Sequence, residues 1–75
     1  MSRAFVNSVV RLTNDVPTLW LSRGDVGVVK SVWLSPLDYY EVEFRKPHRC
    51  CVRALLNHEM IEVTELKPSD AYLHN

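Results

Sequence analysis

Hydrophobic positions along the chain recur mostly every second residue, the period of a half-buried strand. Tyr39 to Arg45 shows it best: Tyr40, Val42 and Phe44 take one face, and Tyr39, Glu41, Glu43 and Arg45 the other. Phe5 to Thr13 gives a first strand, with Val10 and Leu12 on one face and Val9 and Arg11 on the other. Val26 to Leu34 gives a second, in which Val26, Val28, Val32 and Leu34 share a face opposite Gly27, Val29, Ser31 and Trp33. Arg49 to Arg53 reads as a fourth strand and Met60 to Leu66 as a fifth, with Ile61 and Val63 inward. Ala54 to His58 is too short for an ordinary helix and reads as a 3-10 turn. No window carries the i, i+3, i+4, i+7 apolar spacing of a helix, and Val, Tyr, Trp and Phe favour strands.

The breaks between these segments are equally informative. Asn14-Asp15-Val16-Pro17 is rich in turn-formers, and the chain then runs to Asp25 without clear period, a first loop of about a dozen residues. Gly24 suits a tight turn. Gly27 lies inside a strand pattern, which marks a bulge, a bend or a close backbone approach. Ser35-Pro36-Leu37-Asp38 forms the next turn, and Lys46-Pro47-His48 ends the third strand. The expected architecture is all-β: a small five-stranded SH3-like, partly open barrel over residues 1–66, with a long first loop and a 3-10 turn before the last strand. Residues 67–75 read as a loosely ordered C-terminal tail.

Composition narrows the function. Seventy-five residues make one domain, which on folding buries only about 60–65% of the surface its unfolded chain exposes. A deep cofactor cleft would consume most of such a core, so function is expected on the surface, with no cofactor. Nine basic and nine acidic residues cancel, so the broad basic footprint of a nucleic-acid binder is absent overall. No apolar run approaches the ~20 residues that cross a bilayer, and the first residues lack a signal-peptide core, so the expectation is a cytoplasmic chain without a membrane partner. Cys50 and Cys51 are adjacent and would point to opposite faces of a strand, which disfavours a bridge between them.

Several stretches in order carry a resemblance: Val9-Val10-Arg11-Leu12, Asp15-Val16-Pro17, Leu21-x-Arg23-Gly24-Asp25-Val26-Gly27-x-Val29 and Tyr40-Glu41-Val42-Glu43-Phe44. Over roughly residues 6–66 the chain resembles the bacterial domain-of-unknown-function family numbered 4926. The resemblance implies an SH3-like barrel and, from small toxin-like genes beside some members, an antitoxin or immunity role. It brings no functional residues to carry over. The chain departs from the family after Phe44, where Arg45-Lys46-Pro47-His48-Arg49 stands in place of an acidic or glycine-rich turn.

Two sets of side chains are candidates for binding. Trp20, Trp33 and Tyr39 fall on the long loop or off the inward face, and exposed aromatics mark partner surfaces because they bring large area with a polar handle. SH3 domains hold proline-rich peptides with such residues, but the acidic loop residues that accompany that specificity are here only Asp15 and Asp25. The second set, Arg45, Lys46, Arg49 and Arg53 with His48, could grip phosphates; its alternative role is a solvated hairpin whose charges pair with Glu41 and Glu43. His48, Cys50, Cys51 and His58 lack the second ligand pair of a zinc site, so no metal is expected. No oxyanion loop or base accompanies the thiols, and Gly24-Asp25-Val26-Gly27 precedes a strand rather than a helix, so no catalytic residue is assigned and the chain is not expected to be an enzyme. The reading favoured by the sequence is a non-catalytic protein-interaction module whose partner is another protein or a second copy of the chain. The alternative is a nucleic-acid-binding barrel using the basic 45–53 hairpin.

Overall fold

The computed structural model describes residues 4–34, 36–46 and 49–71, and of residues 49 and 50 the backbone only. Five antiparallel strands form one sheet: β1 Val9–Leu12, β2 Val26–Trp33, β3 Tyr39–Lys46, β4 Arg49–Asn57 and β5 Ile61–Val63. Their order is β4-β3-β2-β1-β5, a meander whose last strand returns to lie beside the first. One apolar cluster draws Val10 and Leu12 from β1, Val29 from β2, Tyr40, Val42 and Phe44 from β3, Ala54 and Leu56 from β4, and Ile61 from β5. Strands from both edges of the sheet meet in that cluster, so the sheet curls around it without closing. This is the expected small, partly open barrel with a long first loop and a 3-10 turn before the last strand.

Gly27 lets the sheet bend tightly. A Cβ built there would sit 2.7 Å from Val42 Cγ1, 2.8 Å from the Glu43 carbonyl oxygen and 2.9 Å from Phe44 Cδ1. The gap between β2 and β3 is thus filled without any side chain at 27, and the close backbone approach expected from the sequence is present.

The faces of β2 depart from strict alternation. Val29 stands opposite Val42 and Ser31 opposite Glu41, so Lys30 is an extra residue in β2. Before the bulge Val26 and Val28 point to the outer face; after it Val32 joins the inner cluster. The sequence put Val26, Val28, Val32 and Leu34 on one face, and the bulge splits them. Outside, Val26 and Val28 pack with Val9 into a second small cluster, closed by Ala71.

Three other boundaries move. β1 begins at Val9, because Phe5 to Ser8 is a turn in which the Ser8 N–H bonds the Phe5 carbonyl at 2.8 Å. β4 continues through Ala54, Leu55 and Leu56 to Asn57, paired with β3 as far as Tyr39, so the expected 3-10 turn at Ala54–His58 falls instead at His58–Met60. Asn57 starts that turn, its Oδ1 accepting the N–H groups of Glu59 and Met60 at 2.9 and 3.2 Å. Third, β5 is only Ile61–Val63, and the expected tail begins with a helical turn, α1 (Pro68–Ala71), whose Ala71 is fully buried against the sheet.

Candidate functional site

The outer face divides into three zones set by strand register. At one end lies the Val9, Val26 and Val28 cluster beneath α1. In the middle is a row of charges. Arg53 Nη2 lies 3.3 Å from Glu43 Oε2, and its Nη1 lies 3.6 Å from Glu41 Oε2. Arg45 Nε is 3.9 Å from Glu43 Oε1, and Ser31 Oγ donates to Glu41 Oε1 at 3.0 Å. Glu43 is buried, and the two guanidinium groups beside it supply the opposite charge that its desolvation requires.

At the far end Trp33 pairs with Tyr39 across the β2–β3 ladder. Cross-strand partners point to the same side of a sheet, so the indole and the phenol form one corner of the outer face. Trp33 keeps 52% of its surface exposed and Tyr39 is half-buried. The turn they close carries Leu34 and Leu37, both exposed, and Leu55 projects from β4 on the same face, opposite Glu41. These leucines were not singled out by the sequence, although the turn length between Trp33 and Tyr39 places the first two beside the aromatic pair. The corner is apolar, and the row of charges beside it separates it from the valine cluster at the other end.

Trp20 occupies a different place. The first loop contains a 3-10 turn, Pro17–Leu19, after which Trp20 takes a left-handed conformation with φ of 57°. A bridge between Val16 and Leu21 closes the turn, and Leu21 is the residue that plugs into the core. The left-handed step turns the neighbouring indole outward, leaving it 79% exposed. Trp33 and Tyr39 are brought together by the sheet, whereas Trp20 stands on the loop, outside the ladder.

The basic residues are distributed among carboxylates. Lys46 Nζ reaches Asp25 Oδ2 at 2.7 Å, Arg53 bridges Glu41 and Glu43, and Arg45 lies beside Glu43. His48 and the side chains of Arg49 and Cys50 lie outside the described residues, while Cys51 is an exposed free thiol. Among the described residues no three His, Cys, Asp or Glu side chains gather as a metal site would require, and no helix is long and apolar enough to cross a membrane. An open depression of about 600 Å³ lies between Arg11, Gly24, Val26, Thr64, Glu65 and Leu66, and none of the residues expected to bind a partner lines it. Comparison with protein-family models, with curated proteins and with solved structures finds no match in any of the three.

Proposed function

We propose that this chain is a non-catalytic protein-interaction module that engages its partner through Trp33 and Tyr39, with Trp20 as a second contact on the first loop. The observation that carries the reading is the Trp33–Tyr39 pair itself: a half-exposed indole and a half-buried phenol that are register partners across the β2–β3 ladder on the outer face, with the exposed Leu34 and Leu37 on the turn they close and Leu55 on β4. Aromatic anchors on a preformed sheet lose little conformational entropy on binding, which is why they dominate interface energies. Strand order and the 3-10 turn before the last strand support an SH3-like barrel as the scaffold. On this reading the chain is a cytoplasmic member of the unknown-function family whose motifs it resembles, with an antitoxin- or immunity-like role. The residues Arg45, Lys46 and Arg53 serve to neutralise carboxylates of the same sheet and loop.

The test is capture of the partner by tagged wild-type chain from source lysate, with and without nuclease, read by mass spectrometry. A single stoichiometric protein is expected to survive nuclease and to be lost with Trp33→Ala but kept with Arg53→Gln. Retention of the partner by a folded Trp33→Ala variant overturns the assignment, and capture that vanishes with nuclease moves the basic hairpin to the front.

A further inference from the structure

We propose that the free edge of β4 pairs with β4 of a second copy, joining two five-stranded sheets into one. β4 spans nine residues and lies at the end of the strand order, with β3 on one side and no described strand on the other. Alternate residues of such a strand present unpaired N–H and C=O groups outward. Natural edges are usually kept short, or interrupted by proline, lysine or a bulge. The opposite edge, β5, follows that pattern at three residues. β4 is guarded only at its start: Phe44 pairs with Val52 but Lys46 with Arg49, so Cys50 and Cys51 face the single residue Arg45, and Cys51 is left-handed with φ of 48°. From Val52 to Asn57 the strand is regular, holds no proline and carries one charge, Arg53, which is drawn sideways to Glu41 and Glu43.

The sequence of this segment selects a second copy of the chain. Two β4 strands related by a two-fold axis run antiparallel, and a register centred on Leu55 uses Arg53 to Asn57 of each, clear of the bulge. Leu55, 56% exposed in the monomer, then stands opposite Leu55 of the other copy, with Arg53 opposite Asn57 and next to the turn that carries Glu59. A register centred on Arg53 would oppose two like charges. The Leu55 register also places both Trp33–Tyr39 corners on the same face of the joined sheet, so the dimer would present the outer aromatic surface twice. The pairing uses backbone groups at the edge together with Leu55, which borders the proposed partner surface, so Trp33→Ala rather than Leu55→Lys separates dimerisation from partner binding.

Light scattering on gel filtration across a concentration series tests this. The wild-type mass is expected to rise from 8.7 kDa towards twice that value, while Leu55→Lys stays at the monomer mass with an unchanged circular-dichroism spectrum. Trp33→Ala is expected to dimerise like the wild type. A wild type that remains monomeric at every concentration overturns the proposal, as does Leu55→Lys dimerising equally well, or Trp33→Ala alone abolishing the dimer. Leu55→Cys combined with Cys50→Ser and Cys51→Ser gives a second readout that does not depend on Leu55→Lys folding. Directly opposed residues bring their Cα atoms to about 4.5–5.5 Å, within disulfide range, so mild oxidation is expected to cross-link the dimer quantitatively. Failure to cross-link overturns the register.

Discussion

Lys46 Nζ lies 2.7 Å from Asp25 Oδ2, and this bond ties the end of β3 to the last residue of the first loop. Asp25 also accepts the Ser22 N–H at 2.9 Å, and Asp15 accepts the Arg23 N–H at 2.7 Å. Both aspartates of the loop therefore stitch its returning arm. Neither side chain of the Lys46–Asp25 pair is more than about a quarter exposed, so screening is weaker than for a surface pair. A double-mutant cycle with Lys46→Met and Asp25→Asn is expected to give a coupling of about 1 kcal/mol in urea unfolding. A coupling indistinguishable from zero would show that the bond only decorates the loop.

The two arginines beside Glu43 differ in consequence. Arg53 contacts both Glu41 and Glu43, and removing it leaves a buried carboxylate short of its nearest cation. Arg53→Ala is expected to cost about 1–3 kcal/mol, the range for leaving a buried polar group unsatisfied, because Arg53 is half exposed and Arg45 remains beside Glu43. Arg45 is more than half exposed and 3.9 Å from Glu43, so Arg45→Ala is expected to cost under about 0.5 kcal/mol. Chemical denaturation of the two variants side by side checks the order.

Glycine replacements separate crowding from backbone strain. Gly27→Ala puts a methyl within 3 Å of Val42, Phe44 and a backbone oxygen, and overpacking of that kind costs about 1–3 kcal/mol. Gly24, at φ of 92°, has open space around it, so Gly24→Ala meets only the strain of a left-handed residue, about 1–2 kcal/mol. The larger loss is expected at Gly27, measured as a shift in the urea midpoint at constant slope. Equal losses would mean that β3 yields around the added methyl.

These effects show why parts of the chain were legible and others not. Tyr39 to Arg45 is legible because Tyr40, Val42 and Phe44 alternate with residues of the outer face, even though Glu43 is buried there beneath Arg45 and Arg53. Trp33 and Tyr39 could be placed off the core by parity, and the short turn between them made them neighbours. Lys30 left no comparable mark: a lysine in a valine-rich strand looks ordinary, yet as the extra residue of a bulge it moves Val32 to the inner face. Ala54-Leu55-Leu56 concealed the continuation of β4, since Leu55 is an apolar residue on the exposed face and so erased the alternation. The Asn57 cap was the available signal for where the 3-10 turn begins. Trp20 and Leu21 are adjacent apolar residues on a loop without period, so the sequence carries no signal that Leu21 enters the core while Trp20 stays exposed.

The position of Ala71 yields the last prediction. Its side chain is wholly buried against Val9, Val26 and Val28, beneath a helical turn of four residues. A carboxylate there would have to be desolvated without a partner, and leaving the sheet is easier for so short a turn than burying the charge. Ala71→Asp is therefore expected to undock α1 and leave the barrel folded. The loss is then limited to what docking contributes, about 1–2 kcal/mol for covering a few methyl groups. Amide exchange should quicken at Ser69 to Ala71 and at the covered ends of β1 and β2, while Val42 and Phe44 keep their protection. Loss of protection throughout β3 would instead make the C-terminal turn part of the cooperative core.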